Sequence, residues 1–294
     1  MKMKKYLGII GLLIVTIIWG GGFVACDMAL ESLTTMQILA VRFFIATLVM
    51  ALLGRKDLTH MSKNEVRKGC LLGAVLFLGF VSQTVGLIYT TPSKNAFLTT
   101  INVVLVPFIA FVVTGKKVGK DALLGAVLAV IGTGVLSLTS RFTISLGDGL
   151  TLLCAVFFAM QIFLTGLFVQ EIRPAVLNFL QMGTAFLLSL IGMTVKGEWH
   201  FAPTQESLLA VLYLGIMSTA VTYLLQTASQ KYVEETQAAI ILSMEAVFGT
   251  VFSVIILHEQ ITGRMLLGAA LILTAVIISE VPGLIKPEKK HNKQ

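Results

Sequence analysis

The sequence predicts an all-α, polytopic membrane protein of ten transmembrane helices, built as two inverted five-helix repeats. Three observations carry this prediction. Of the 294 residues, 56% are hydrophobic and 13% charged, with a mean hydropathy of +0.91, whereas a soluble domain carries about 25% charged residues. The apolar residues also fall in runs long enough to cross a bilayer. Each crossing needs about 20 residues, so ten take about 200 and leave loops of roughly nine residues, with no room for a soluble domain. Finally, positions 143 residues apart coincide. Gln83 lands on Gln226, Tyr89 on Tyr232, Ala96 on Ala239 and Val104 on Val247, and Leu123-Leu124-Gly125-Ala126 lands on Leu266-Leu267-Gly268-Ala269. Apolar stretches match by chance, but Gln and Tyr agreeing at one offset point to a shared origin. A soluble enzyme, a disordered chain and a nucleic-acid reader are excluded.

The first segment, 6–25, follows a short basic start ending at Lys5. It resembles a signal peptide, and Phe23-Val24-Ala25-Cys26 faintly resembles a lipoprotein cleavage box. Cleavage would leave nine segments and destroy the repeat, so the segment is read as a retained helix. The second, 37–54, ends at Arg55-Lys56; the third, 69–89, follows Lys63, Arg67 and Lys68. The fourth, 95–114, lies between Lys94 and Lys116-Lys117, and the fifth, 122–139, between Lys120 and Arg141. Segments six and seven, 148–168 and 174–195, are parted by Arg173. The eighth, 207–228, precedes Lys231; the ninth, 236–257, precedes His258-Glu259; the tenth, 264–281, begins at Arg264. The repeats thus cover 6–139 and 148–281, followed by a tail over 282–294.

Lysine and arginine in short loops set orientation. With the N-terminus inside, only Lys94, Arg141, Lys196 and Arg264 fall on the outer side, and Arg42 falls within a segment. Both termini are therefore expected in the cytoplasm, with the protein in the plasma (inner) membrane. The formal charge of +7 reflects this loop bias rather than a nucleic-acid partner. Cys26, Cys70 and Cys154 have no metal-ligand spacing and read as packing residues. Five helices per half is an odd number, so the second half enters the membrane upside down relative to the first. That is the inverted repeat common in secondary transporters, whose sites lie near the midplane at the repeat interface.

Polar residues inside the bilayer are costly and therefore informative. Glu245 lies deep in the ninth segment, on one face with Ala238, Leu242, Gly249 and Phe252. Under the 143-residue shift it coincides with Asn102, which shares a stripe with Asn95 and Thr99. Pro107 frees the carbonyl of Val103 beside Asn102. Further stripes are Thr219, Thr222, Gln226 and Ser229 with Tyr223 beside them, Gly79, Gln83, Gly86 and Thr90, and Thr151, Cys154, Gln161 and Thr165. Ser, Thr and Gln also serve as interhelical glue. Trp19 and Phe23 are candidates for the cavity wall. Arg42 is read as a structural ion pair with Asp27 or Glu31, with outward snorkelling or a substrate carboxylate as alternatives. His258-Glu259 reads as an interfacial helix end.

These residues resemble the EamA-type branch of the drug/metabolite transporter superfamily over nearly the whole chain. The likeness rests on Trp19-Gly20 with Phe23, Arg42-Phe43, the stretch from Thr91 to Pro107, Glu245-Ala246-Val247-Phe248, and Glu259 with Gly268-Ala269. Two departures stand out: Ala246 replaces the family's Pro, which puts a kink in the ninth helix in doubt, and Gly115-Lys116-Lys117 replaces Gly-Glu. The resemblance implies alternating access around a central cavity, usually for export of amino acids, related metabolites or toxic compounds.

The expected site is Asn102 and Glu245 facing one another, ringed by Asn95, Thr99, Gln161, Thr222, Tyr223, Gln226 and Trp19. A carboxyl at this depth makes Glu245 a candidate for proton coupling; coupling to a counter-substrate is the alternative. The partners are a small-molecule substrate and the lipid bilayer, with no nucleic acid and no cofactor, in a monomer or homodimer. No phosphate-binding Gly-x-x-x-x-Gly-Lys-Ser/Thr loop is present, so ATP does not drive the protein directly. An intramembrane enzyme is the rival from another class, but His60, His200, His258 and His291 all lie in loops, tails or segment ends. A passive channel or a structural membrane protein is the further alternative.

Overall fold

The computed structural model describes residues 2–90, 92–115, 119–137, 145–256 and 262–280, and every regular element among them is helical. The Lys116-Lys117 connection, Arg141, His258-Glu259 and the 282–294 tail lie outside the described residues. In chain order the α-helices are α1 (Lys2–Leu30), α2 (Thr35–Gly54), α3 (Lys63–Ile88), α4 (Pro92–Thr100), α5 (Asn102–Thr114), α6 (Lys120–Ser137) and α7 (Leu146–Phe168). They continue with α8 (Pro174–Lys196), α9 (Gln205–Gly215), α10 (Thr222–Gln230), α11 (Glu235–Leu242), α12 (Glu245–Ile256) and α13 (Gly263–Glu280). A six-residue π-helix, Ile216–Val221, joins α9 to α10.

Local chemistry sets the ends. Thr34, Ser62 and Ser145 cap α2, α3 and α7: each hydroxyl accepts from the N–H three residues on, and Gln37, Glu65 or Asp148 returns a bond to the capping N–H. Pro174 opens α8, where its missing N–H costs nothing. Gly115 and Gly197 close α5 and α8 at φ +68° and +67°, a conformation that a Cβ would oppose.

Eight helical stretches are long and apolar enough to cross a bilayer: 3–30, 35–54, 63–88, 95–114, 146–168, 174–196, 205–230 and 235–256. Their outward faces carry exposed Leu52, Phe108, Val112, Leu187, Ile191 and Val195. Apolar exposure on that scale is unfavourable in water and matched to lipid.

The packing follows the internal repeat. Under the 143-residue offset α1 corresponds to α7, α2 to α8, α3 to α9–α10, α4–α5 to α11–α12, and α6 to α13. The α3–α7 contact has its exchanged counterpart in α1 with α9 and α10, and α4–α5 on α7 is matched by α11–α12 on α1. Helices α2 and α8 pack on each other, as do α6 and α13. The match extends to single atoms. A Cβ on Gly86 would meet Thr151 Oγ1 at 2.7 Å; at the equivalent place a Cβ on Gly8 would meet the Ser229 carbonyl at 3.2 Å.

Two helices are broken at equivalent points: α4 gives way to α5 at Ile101, and α11 to α12 at Ser243–Met244. The proline does not place the first break, since Pro107 sits inside α5. Nor does Ala246 abolish the second, so the doubt raised by the missing proline is corrected. At both joints the bonds tighten to i→i+3, from Ile101 N to Leu98 O (3.3 Å) and from Met244 N to Ile241 O (3.0 Å). Just before each joint a hydroxyl bonds back onto its own helix, Thr100 to Ala96 O at 3.0 Å and Ser243 to Ile240 O at 2.6 Å. Thr100 and Ser243 are 143 positions apart; the same back-bond is made in unbroken helices by Thr47, Thr133 and Ser189, so it accompanies the joints without fixing them.

Candidate substrate-binding site

The breaks put Asn102 and Glu245 at the first residues of α5 and α12. Both line one open cavity between the two halves of the bundle. Neither side chain makes a hydrogen bond or an ion pair with any described residue. Seven of the nine residues expected at the site stand on the cavity wall: Trp19, Asn95, Thr99, Asn102, Gln161, Tyr223 and Glu245.

The other two, Thr222 and Gln226, sit one layer behind that wall. Thr222 is fully buried; its hydroxyl accepts from Trp19 Nε1 at 2.9 Å and donates to Ser218 O at 2.8 Å. Gln226 donates to Gln161 Oε1 at 3.3 Å. They orient the wall instead of forming it. Trp19 Nε1 also reaches Ser218 O at 3.0 Å. Replacing Trp19 with Phe is expected to destabilise the protein by about 1 kcal/mol, the net worth of a typical buried hydrogen bond. Thermal denaturation of the purified protein checks this.

The polar end of the wall is tied internally. Asn95 Nδ2 donates to Gln83 O at 3.1 Å and Thr151 Oγ1 at 2.9 Å, and its Oδ1 has no partner. Thr99 donates to Asn95 O at 2.9 Å and accepts from Gln83 Nε2 at 3.3 Å. The aromatic end is a connected group. The Tyr223 ring centroid is 5.4 Å from Trp19 and 6.1 Å from Phe80, and Phe80 meets Phe158 edge-on at 5.1 Å. These separations fall in the favourable range for aromatic pairs.

Arg42 departs from its expected role. It neither snorkels, being only 3% exposed, nor pairs with Asp27 or Glu31, which are themselves exposed. Its side chain turns inward instead. Nε donates to Thr219 Oγ1 at 3.0 Å, and the guanidinium carbon lies 4.1 Å from the Phe80 ring centroid. The π-helix makes this possible: Thr219 donates to Leu214 O, five residues back, at 2.7 Å, which holds its oxygen toward Arg42. Arg42 joins the cavity wall.

Sequence reasoning missed Phe80, Phe158 and Ser218 as lining residues. Aromatics in an apolar segment look the same whether they face a cavity, the core or lipid. Ser218 is brought in by the π-helix, which carries no evident sequence signal.

Toward the Lys2 end of α1 the cavity is shut by a core of Leu12, Val15, Val106, Ala159, Ala238 and Ala239, none with exposed surface. Three buried polar groups in that closed region have no partner among the described residues: Gln226 Oε1, Thr227 Oγ1 and Gln230 Oε1. Under the repeat offset their mates are Gln83, Thr84 and Leu87, and all three of those line the cavity.

The sequence pattern of the EamA-like transporter family matches residues 6–138 and 145–280. A transporter of Archaeoglobus fulgidus, described only as uncharacterised, is 36% identical over 276 residues, covering 94% of this chain and 86% of that one. A probable amino-acid metabolite efflux pump of Escherichia coli is 25% identical over 300 residues, covering 94% and 95%. A solved crystal structure shares the fold with a TM-score of 0.79 at 17% identity, over 92% of this chain and 96% of that one.

Proposed function

The chain belongs to the EamA-like transporter family and is a multi-pass membrane transporter; from that premise we propose that it is a secondary carrier exporting amino acids, related small metabolites or toxic compounds by alternating access. Ten helices cross the membrane in this reading, α6 and α13 included, with both termini cytoplasmic. The repeats 6–139 and 148–281 insert in opposite senses. The exchanged contacts between the halves support that arrangement, and the name of the Escherichia coli relative supports export. Asn102 and Glu245 face the substrate, with Asn95, Thr99, Gln161, Tyr223 and Trp19 around it. Glu245 is the group through which a proton would couple.

The observation that carries the reading is the unequal state of matched polar residues. Gln83 is partly exposed on the open cavity, while its mate Gln226, and Thr227 beside it, are buried with oxygens unpartnered among the described residues. A polar group with no partner costs several kcal/mol in a membrane interior. Those oxygens are satisfied if the halves exchange conformations, so that the second stripe becomes wet as the first closes. A fixed channel has no such requirement.

Saturable uptake stimulated by counter-substrate in proteoliposomes tests the carrier. Thiol accessibility tests the exchange. With Cys26, Cys70 and Cys154 replaced by alanine, Gln83→Cys is expected to react with an impermeant thiol reagent in the state described here, and Gln226→Cys to be protected. Conditions that raise labelling at position 226 are expected to lower it at position 83. Simultaneous labelling at both positions would indicate a continuous pore.

A further inference from the structure

Arg42 and Glu245, a base and an acid, line the same cavity and form no ion pair with each other or with any described residue. Both are nearly sealed from the surface, at 3% and 7% exposure. Arg42 has one protein acceptor, the neutral Thr219 Oγ1. Its other neighbours are the Phe80 and Phe43 rings, with Cys26 and Tyr223 within electrostatic reach. None of these supplies a formal negative charge, so the terminal N–H groups of the guanidinium face the cavity without a carboxylate. Glu245 lies within electrostatic reach of Cys154 and Tyr223, and Tyr223 is within reach of both Arg42 and Glu245.

A guanidinium held in this way is suited to a carboxylate. Its planar fork binds two oxygens at once, and its Nε is already anchored, so little order is lost on binding. The helix N-terminus of α12 does not compete for the anion, because Glu245 occupies its first turn. The same wall carries an apolar and aromatic set, Trp19, Phe80, Phe158, Tyr223 and Leu214. A ligand bearing one carboxylate, one ammonium and an apolar body meets all three regions together. A simple amine leaves Arg42 unpaired, and a simple acid leaves Glu245 unpaired.

We propose that Arg42 is the receptor for a substrate carboxylate and Glu245 the receptor for its ammonium, so that the cavity selects small zwitterions with apolar side chains. This rests on the carrier reading above and narrows its substrate class, setting aside cationic toxic compounds.

The test uses the purified full chain and matched sets of probes: phenylalanine, phenethylamine and 3-phenylpropanoate, with leucine, 3-methylbutylamine and 4-methylpentanoate as a second set. Thermal shift and calorimetry read binding. At least one zwitterion is expected to bind more tightly than its amine and its acid. Arg42→Gln is expected to weaken that zwitterion by about 30-fold or more, as for truncating one side of a buried charge pair, and to leave the amine unchanged. Arg42→Lys, which keeps the charge, is expected to retain part of the preference and guards against loss of fold. Glu245→Gln is expected to weaken zwitterion and amine while leaving the acid unchanged. An amine bound as tightly as its zwitterion, an equal loss of both in Arg42→Gln, or no zwitterion bound in either set overturns the assignment. Counterflow in liposomes separates the two readings. Amine flux indifferent to a carboxylate leaves the carrier and removes this site; zwitterion binding without any flux leaves the site and removes the carrier.

Discussion

Replacing Glu245 with glutamine is expected to abolish gradient-driven accumulation of substrate while leaving a slow downhill flux. Glu245 is a single carboxyl facing the cavity, with no protein partner among the described residues. If it receives both the substrate ammonium and a proton, the two compete for one group. Competition of that kind is sufficient for exchange, because loading either one expels the other. Glutamine keeps the shape and some hydrogen bonding but cannot change charge. Accumulation in proteoliposomes under an imposed proton gradient should fall by about 30-fold or more, the scale of truncating a buried charge contact. Flux at saturating substrate without a gradient should persist at a reduced rate. Undiminished dependence on the proton gradient in the variant would remove Glu245 from coupling.

The second large effect concerns packing. A Cβ built at Gly20 would lie 2.7 Å from the Phe248 carbonyl carbon and 2.7 Å from the Gly249 nitrogen. Those atoms are backbone and cannot rotate away. Gly20→Ala must therefore push α1 off α12, and α1 also packs on α9, α10 and α11. Overpacking typically costs 1–3 kcal/mol, and here about 3 kcal/mol or more is expected because no side chain can yield. Gly249 on the facing helix is the control. Its Cβ would meet the Gly20 carbonyl at 3.6 Å, an ordinary contact, so Gly249→Ala should stay within about 1 kcal/mol. Size-exclusion profile and melting temperature of the two variants give the comparison; equal effects would contradict the described contact.

Much of this architecture was legible in the sequence, because a bilayer imposes length and polarity rules that few other environments do. The helices begin and end close to the charged and capping residues that bounded the apolar runs. The repeat offset was readable from Gln83 and Gln226, and it pairs the first residues of α5 and α12. The depth of Asn102 and Glu245 was readable for the same reason: polar groups stand out against hydrocarbon. What sequence did not reveal depends on direction. Thr222 lies beside the wall residue Tyr223, yet its hydroxyl is engaged by Trp19 and Ser218, and Gln226 is engaged by Gln161. Arg42 was visible as an anomaly, but its partner was sought among acids close in sequence. The answer lay in a hydroxyl 177 residues away, and in a helix register that no periodicity predicts. The joints were sought at proline, whereas they lie at Ile101 and Ser243–Met244, where no proline stands.

That last feature has a mechanical corollary. A proline bend is permanent, because the missing donor can never be restored. At the joints themselves no proline stands, so every backbone N–H there remains available. Beyond the first joint the helix carries Pro107, which has no N–H to give; its mate 143 positions on, Thr250, keeps one. The helix that bears Glu245 can therefore close a backbone bond that the helix bearing Asn102 cannot.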